Sequence, residues 1–453
     1  MNSIIVFFPL ILLALPLWIQ AGDQPPATPA NEDRRDMGWN PLLPPNVCVP
    51  DVEAHESPDG SLYLYGSWDL KRHSSYCSQY YHVFSSNDLR HWTDHGVSFD
   101  GRGVTFSKKE SKLYAPDCLY KNGWYNLFFC MSDKTEGIAR SRSPWGPFTD
   151  AKPVVGADKK QIDPAVFMDD DGTTYFFWGQ YSLMGAKLTA DLEAIDPSTL
   201  TQGIITNKVH GFHEGSSIRK RNGIYYLSYT DESRHQRASC IGYATSRSPL
   251  GPYTKGGIVI DNFGCDPATW NNHGSISQYR GKWYIFYHRS SQGTKFSRRV
   301  CAEPIAFGED GSIAEVEMTT QGLGDPIPSR MRLAAYRACA LTGSVCSKAI
   351  PDNAEMDELA NIGENDSAGY RYLSFDGTER FFDLHVGTPS DAGSVEVCLD
   401  SPGGPVIATC QLESGKPNPR AALRTPVTGK HAVFLVFRGV AQKGLTIRSF
   451  QFN

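Results

Sequence analysis

The 453-residue chain lacks a basic excess: 44 Lys and Arg stand against 49 Asp and Glu, a net charge of −5. That excludes the broad cationic surface on which nucleic-acid binding rests. It lacks any Cys-x-x-Cys pair among its eleven cysteines, so a zinc site of the usual thiolate spacing is excluded. From about Pro41 onward the catalogue of turns and short runs contains no long amphipathic helix. Tryptophan is absent after Trp283.

What is present begins with an apolar run. Ile4 to Ile19 is nearly unbroken and is followed by Gln20, Ala21 and Gly22. The run is short for a bilayer span and matches the core of a signal peptide, and Pro9 and Pro16 disfavour a spanning helix. Residues 1–21 are therefore expected to be removed after Ala21, giving a secreted, monomeric protein with no membrane attachment. Export permits disulfides. Several are expected, with the odd count leaving at least one thiol free or paired between chains. Asn365-Asp366-Ser367 is a glycosylation sequon. Residues 22–40, rich in Pro, Ala, Asn and charge, read as a flexible lead-in.

Between 41 and 327 a degenerate repeat emerges. A turn ending in Gly precedes an aromatic strand five times: at Gly60, Gly123, Gly172, Gly223 and Gly281, spaced 49 to 63 residues apart. Asn-Gly and Asp-Gly turns admit positive φ and close hairpins. Five hairpins at this spacing match five four-stranded propeller blades. A second echo relates Ser143-Pro144-Trp145-Gly146-Pro147-Phe148 to Ser248-Pro249-Leu250-Gly251-Pro252-Tyr253. From 328 to 453 short alternating runs such as Val433–Phe437 predict a separate β-sandwich. The expected class is all-β: a five-bladed β-propeller followed by a jelly-roll sandwich.

In a propeller the inner strands of all blades face one axis, so acids distant in sequence meet there. Asp51 lies in Val49-Pro50-Asp51-Val52, Asp163 in Gln161-Ile162-Asp163-Pro164, and Glu214 in His213-Glu214-Gly215. Each sits just upstream of a hairpin, in the register of an inner strand. Paired carboxyl groups, one protonated and one ionised, are what glycosidic-bond hydrolysis needs.

These motifs, in order, resemble glycoside hydrolase family 43. The resemblance runs through Leu62-Tyr63-Leu64-Tyr65-Gly66-Ser67-Trp68-Asp69, Ser85 to Trp92, Leu113-Tyr114-Ala115-Pro116-Asp117, Asn272-His273-Gly274 and Phe286-Tyr287-His288-Arg289. It implies an inverting hydrolase of arabinose- or xylose-containing glycans, with Asp51 as general base and Glu214 as general acid. Asp163 would tune the acid's pKa and orient it. It further implies Arg298 in the sugar pocket, with Arg299 as the neighbour if the register slips by one. His273 would be held near the axis, where it would help bind a hydrated Ca2+. Trp68, Trp92, Phe212 and Trp270 are candidates for stacking on sugar rings. Asp69, Asp117 and Glu303 are assigned structural roles. The C-terminal runs resemble carbohydrate-binding module family 6. Two alternatives stay open at this point: a non-catalytic glycan-binding propeller, and β-galactosidase-type activity on the same scaffold.

Overall fold

All five glycine turns fold back a strand. In the computed structural model, Gly60, Gly123, Gly172, Gly223 and Gly281 have positive φ and join the first and second strands of five successive antiparallel sheets. The structure describes residues 38–71, 73–157, 161–350, 353–389, 392–440 and 444–453. The expected signal peptide and the lead-in as far as residue 37 lie outside them. Among the described residues no helix is long and apolar enough to cross a membrane.

The first four sheets have four strands in sequential order and the fifth has three. Their inner strands are Glu53–Glu56, Asp117–Lys121, Ala165–Met168, Phe212–Arg221 and Ile276–Tyr279. Each packs against the inner strands of both neighbouring blades, and the fifth returns to the first, so the ring closes. Bonds between blades one and five fasten it: Val52 bridges Gly274, and the Ser277 hydroxyl donates to the Ala54 carbonyl at 2.6 Å. Aromatics fill the gaps between blades; Phe128, Phe176 and Trp178 are fully buried between blades two and three.

The short fifth blade exposes the outer edge of Thr294–Ile305, which the segment ahead of blade one covers. Leu42 N–H donates to the Val300 carbonyl at 3.0 Å, and the Asn40 side chain brackets Ala302, accepting from its N–H and donating to its carbonyl. Capping an open strand edge in this way prevents unwanted pairing. Trp39 and Asn40 are accordingly buried, which corrects the expectation that the lead-in is flexible through residue 40.

The C-terminal part is a sandwich of two six-stranded sheets, one centred on Thr428–Arg438 and the other on Ile447–Phe452. Their facing side chains, among them Phe382, Leu384, Val397, Leu435, Phe437 and Phe450, form its core. Polar contacts tie it to the propeller. Arg299 is ion-paired with Asp357, as is Lys71 at 3.0 Å, and Arg337 donates to the carbonyls of Trp39, Asn40 and Pro41.

The expected disulfides are not formed: all eleven cysteines are buried free thiols. They are dispersed through separate packing clusters. Cys118 lies between blades one and two, Cys265, Cys301 and Cys339 near blades four and five, and Cys410 in the sandwich. There each acts as a small apolar side chain.

Candidate active site

At the end of the axis where the inner strands begin, a cavity of about 300 Å³ opens, lined by Asp51, Asp163, Glu214, His273 and Arg298 among others. The five come from blades one, three, four and five, so the ring closure assembles them. Local backbone explains how each is aimed. Asp51 and Asp163 both take left-handed φ values, 59° and 61°, a conformation Asp tolerates better than most residues. Glu214 is followed by Gly215 at φ 65°, and a β-carbon there would lie 2.7 Å from the His273 ring. Close contact with that imidazole explains the glycine.

A bulge also acts here. Phe212 pairs with Asp231 but Glu214 pairs with Thr230, so one extra residue intervenes. Residues i and i+2 of a strand normally share a face; the bulge separates them. Phe212 turns into the interblade core, where it is fully buried against Tyr229, while Glu214 turns into the cavity.

Arg298 organises the base side. Its guanidinium donates to Asp51 Oδ1 at 2.8 Å and grips Asp69 through Nε and Nη2 at 2.9 and 3.0 Å. A second Asp69 oxygen contact, from Cys77 N–H, fixes the acceptor. Strand alternation sends the adjacent Arg299 to Asp357 instead, so of the two arginines it is Arg298 that meets Asp51 and lines the cavity. Burial pushes the Asp51 carboxyl up, but the Arg298 guanidinium outweighs it and holds the pKa below the ordinary aspartate value. Burial likewise raises Asp69 and here prevails over Arg298.

The acid side is neutral in its partners. Gln180 Nε2 donates to Glu214 Oε2 at 2.9 Å and Asn271 Nδ2 donates to Oε1 at 3.2 Å. His213 Nε2 stands 3.7 Å from Oε2, its other nitrogen 2.5 Å from Glu232. Asp163 is pushed well above the ordinary aspartate value, by burial first and then by the negative charge of Glu214 and Asp51. A carboxyl with anions as neighbours holds its proton.

His273 Nδ1 faces Asp51 Oδ1 at 3.6 Å and Asp163 Oδ2 at 4.0 Å. Burial lowers its pKa, as it lowers that of His288 to about 3, so both rings are neutral. Calcium takes six to eight oxygens. Within 4.0 Å of His273 Nδ1 the carboxylate oxygens are those of Asp51, already engaged by Arg298, and of Asp163. Among the described residues the one cluster of three ligating side chains is Glu53, His55 and Asp117, and there Arg219 already supplies a cation, 2.8 Å from Glu53. These residues do not fit a calcium ion bound directly by the protein, and no step below is routed through a metal.

Of the stacking candidates, only Trp270 lines the cavity. Trp68 stacks on His82 at 4.0 Å and, with Trp92, packs against the core between blades one and five. These two and Phe212 are corrected to packing roles. Asp69 positions Arg298. Asp117 accepts from Val166 N–H across blades two and three, and Glu303 binds Asn40 and Thr319. Gln180, Tyr181, His213, Asn271, Tyr76 and Tyr114, all lining the cavity, were not singled out from sequence; His213 and Tyr114 stand inside quoted motifs and Asn271 beside one, whereas Tyr76, Gln180 and Tyr181 lie between strands, away from any motif.

Comparison with known proteins decides the lineage. Residues 46–313 match the model of glycosyl hydrolases family 43, more than half of the chain. The chain belongs to glycosyl hydrolase family 43. Its residues 335–453 match carbohydrate binding module family 6. A xylosidase/arabinosidase of Thermoclostridium stercorarium is 30% identical, covering 91% of this chain and 98% of that protein. The crystal structure of a family 43 arabinoxylan arabinofuranohydrolase from Bacillus subtilis, in complex with cellotetraose, superposes with a TM-score of 0.55 at 26% identity, covering 92% of this chain and 98% of that one. A β-xylosidase/α-arabinofuranosidase from a compost metagenome, solved with xylotriose, gives 0.54 at 29% identity over 62% of this chain and 98% of its own.

Proposed function

We propose that this family 43 protein is a secreted enzyme that removes arabinose or xylose units from xylan-type glycans with inversion of configuration. The observation that carries the reading is the placement of Asp51, Asp163 and Glu214 around one small cavity, with opposite electrostatic settings on its two sides. Asp51, held ionised by Arg298, takes the proton of the attacking water as its oxygen bonds to the anomeric carbon. Glu214, held by two amides, gives its proton to the departing oxygen as the glycosidic bond breaks. Asp163 and Glu214 bring two carboxyl groups into one buried site, where ionising both is disfavoured, so the pair retains a proton for the departing oxygen. The neutral His273 and His288 add no cation to compete with Arg298.

A cavity of about 300 Å³ with the three carboxyl groups in its lining supports exo action on a terminal or branching sugar. Export rests on the apolar N-terminal run. The alternative of a glycan-binding propeller without catalysis is disfavoured by the acid–base pair, which a lectin does not need. Incubation with arabinoxylan, xylo-oligosaccharides and galactan, followed by chromatography of the released sugars, tests the reading. Arabinose or xylose is expected; release of galactose alone, or of nothing, would overturn it.

A further inference from the structure

Where the C-terminal sandwich meets blade five there is a second, much smaller cavity, of about 20 Å³. Its lining includes Arg289, Ser290 and Arg299 from blade five, Asp266 from the segment leading into that blade, and Tyr336 from the C-terminal part. A space of this size holds one water or one ion of similar radius.

The charges around it do not balance. Arg289 and Arg299 stand directly opposite each other on the antiparallel strands Lys282–Ser291 and Thr294–Ile305. Side chains paired in this way are close neighbours on one face of a sheet, and like charges there repel. Arg299 has a counter-ion in Asp357, which also pairs with Lys71. Among the described residues Arg289 forms no ion pair. Its guanidinium donates to the Tyr287 hydroxyl at 3.3 Å and to the Thr319 carbonyl. Glu303 lies one hydrogen bond beyond, accepting from that hydroxyl at 3.1 Å, and burial pushes its carboxyl up to about 7, so it carries only part of a charge at neutral pH. Arginine stays charged in proteins, and a buried cation without a partner is costly.

Hydrogen bonding shows the same deficit. Arg289 Nη1, Arg299 Nε and Ser290 Oγ are buried without a hydrogen-bond partner; the three residues are 3%, 2% and 3% exposed. The hydroxyl can donate, and the two guanidinium nitrogens can only donate. Asp266, the one acid in the lining, already accepts on both oxygens, from Ala268 N–H and Gly293 N–H, each at 2.9 Å. Unmade hydrogen bonds of buried donors cost free energy. A water would bring protons that need acceptors of their own and would leave the charge of Arg289 unbalanced.

The geometry points to a binding site for one monovalent anion of halide size, chloride in saline, held by Arg289, Arg299 and Ser290 at the junction of propeller and sandwich. The anion accepts from all three side chains and offsets the repulsion between the facing guanidiniums. Because its cage forms only when blade five and the C-terminal part are both folded, it binds the native state and stabilises it by mass action. The site lies apart from Asp51, Asp163 and Glu214 and takes no part in the reaction.

The test follows thermal unfolding of the full chain at fixed pH and constant ionic strength as sodium chloride replaces sodium gluconate, whose anion is too large for the cavity. The melting temperature should rise by roughly 2–4 °C for each tenfold increase in chloride once the site begins to fill. Ser290→Ala should need several-fold more chloride for the same rise, and Arg289→Met should not respond. Crystals grown in sodium bromide should show an anomalous peak in the cavity. Equal melting temperatures in chloride and gluconate, or no bromide in the cavity, would overturn the inference and leave a water there. So would an Arg289→Met protein that responds to chloride as the wild type does. If that variant fails to fold, the wild-type melting series and the bromide map still decide.

Discussion

Replacing Arg298 by Met removes one cation from between two buried carboxylates and keeps the stem. Side-chain exposure is 3% for Arg298, 6% for Asp51 and none for Asp69, so water cannot take the guanidinium's place. Breaking a buried pair costs about 3–5 kcal/mol. At about 2–4 °C per kcal/mol for a domain of this size, the melting temperature should fall by roughly 10 °C at neutral pH. The pH dependence sets this apart from a packing loss. In the wild type the lowered Asp51 pKa contributes stability above the unfolded aspartate value, lost as pH falls through the depressed folded value. In the variant, burial acts unopposed, and the folded Asp51 and Asp69 pKa values move up. Its stability then declines as pH rises through that window, so the two proteins converge toward pH 4 and separate toward pH 7. The acidic limb of kcat/KM should shift upward for the same reason. Denaturant titrations of both proteins across this range provide the measurement. A constant gap at every pH, or no gap, would refute the argument that the guanidinium holds Asp51 ionised.

Asp163→Asn removes a carboxyl whose ionisation burial and the neighbouring carboxyl groups disfavour, so the folded protein should be more stable at neutral pH. The sign follows from a raised folded pKa, whose cost is present above the unfolded value and grows as pH rises toward the folded one. Activity should nevertheless fall, since Glu214 loses the carboxyl beside it; a variant less stable than wild type at pH 7 would contradict the electrostatics. Exhaustive chelation should leave both kcat and melting temperature unchanged, because Arg219 and Arg298 supply the cations near the axis. A drop in either, restored by calcium, would return a water-held ion to His273.

Much of this was legible in sequence because hairpin chemistry is local. The five glycine turns fixed the blade count, and the acids ahead of them followed from inner-strand register. Arg298 and His273 were reached through family resemblance, and both line the cavity. Aromatic roles were not legible. Trp68, Trp92 and Phe212 sit in strands or strand ends whose two faces both meet hydrophobic neighbours, and the bulge before Glu214 inverts the facing that simple alternation predicts. Gln180, Tyr181 and Asn271 come from segments between strands, and only ring closure brings them to Glu214. The disulfide expectation failed because cysteine count and an export signal say nothing of whether two thiols meet; here all eleven are buried without being bonded to one another. Trp39 and Asn40 were missed because their partners, Arg337 and Ala302, lie far along the chain.

The central claim is that Asp51 and Glu214 divide base and acid duties, and leaving-group dependence tests it most directly. Rates should be measured for wild type, Asp51→Asn and Glu214→Gln on aryl glycosides of increasing phenol acidity and on the natural oligosaccharide. Asp51→Asn is expected to lose about 100-fold or more on every substrate, since each needs an activated water. Glu214→Gln should lose as much on the oligosaccharide but recover toward wild type as the phenol becomes acidic enough to depart without protonation. Equal losses of Glu214→Gln across the whole series, or near-normal turnover in either variant, would contradict the account.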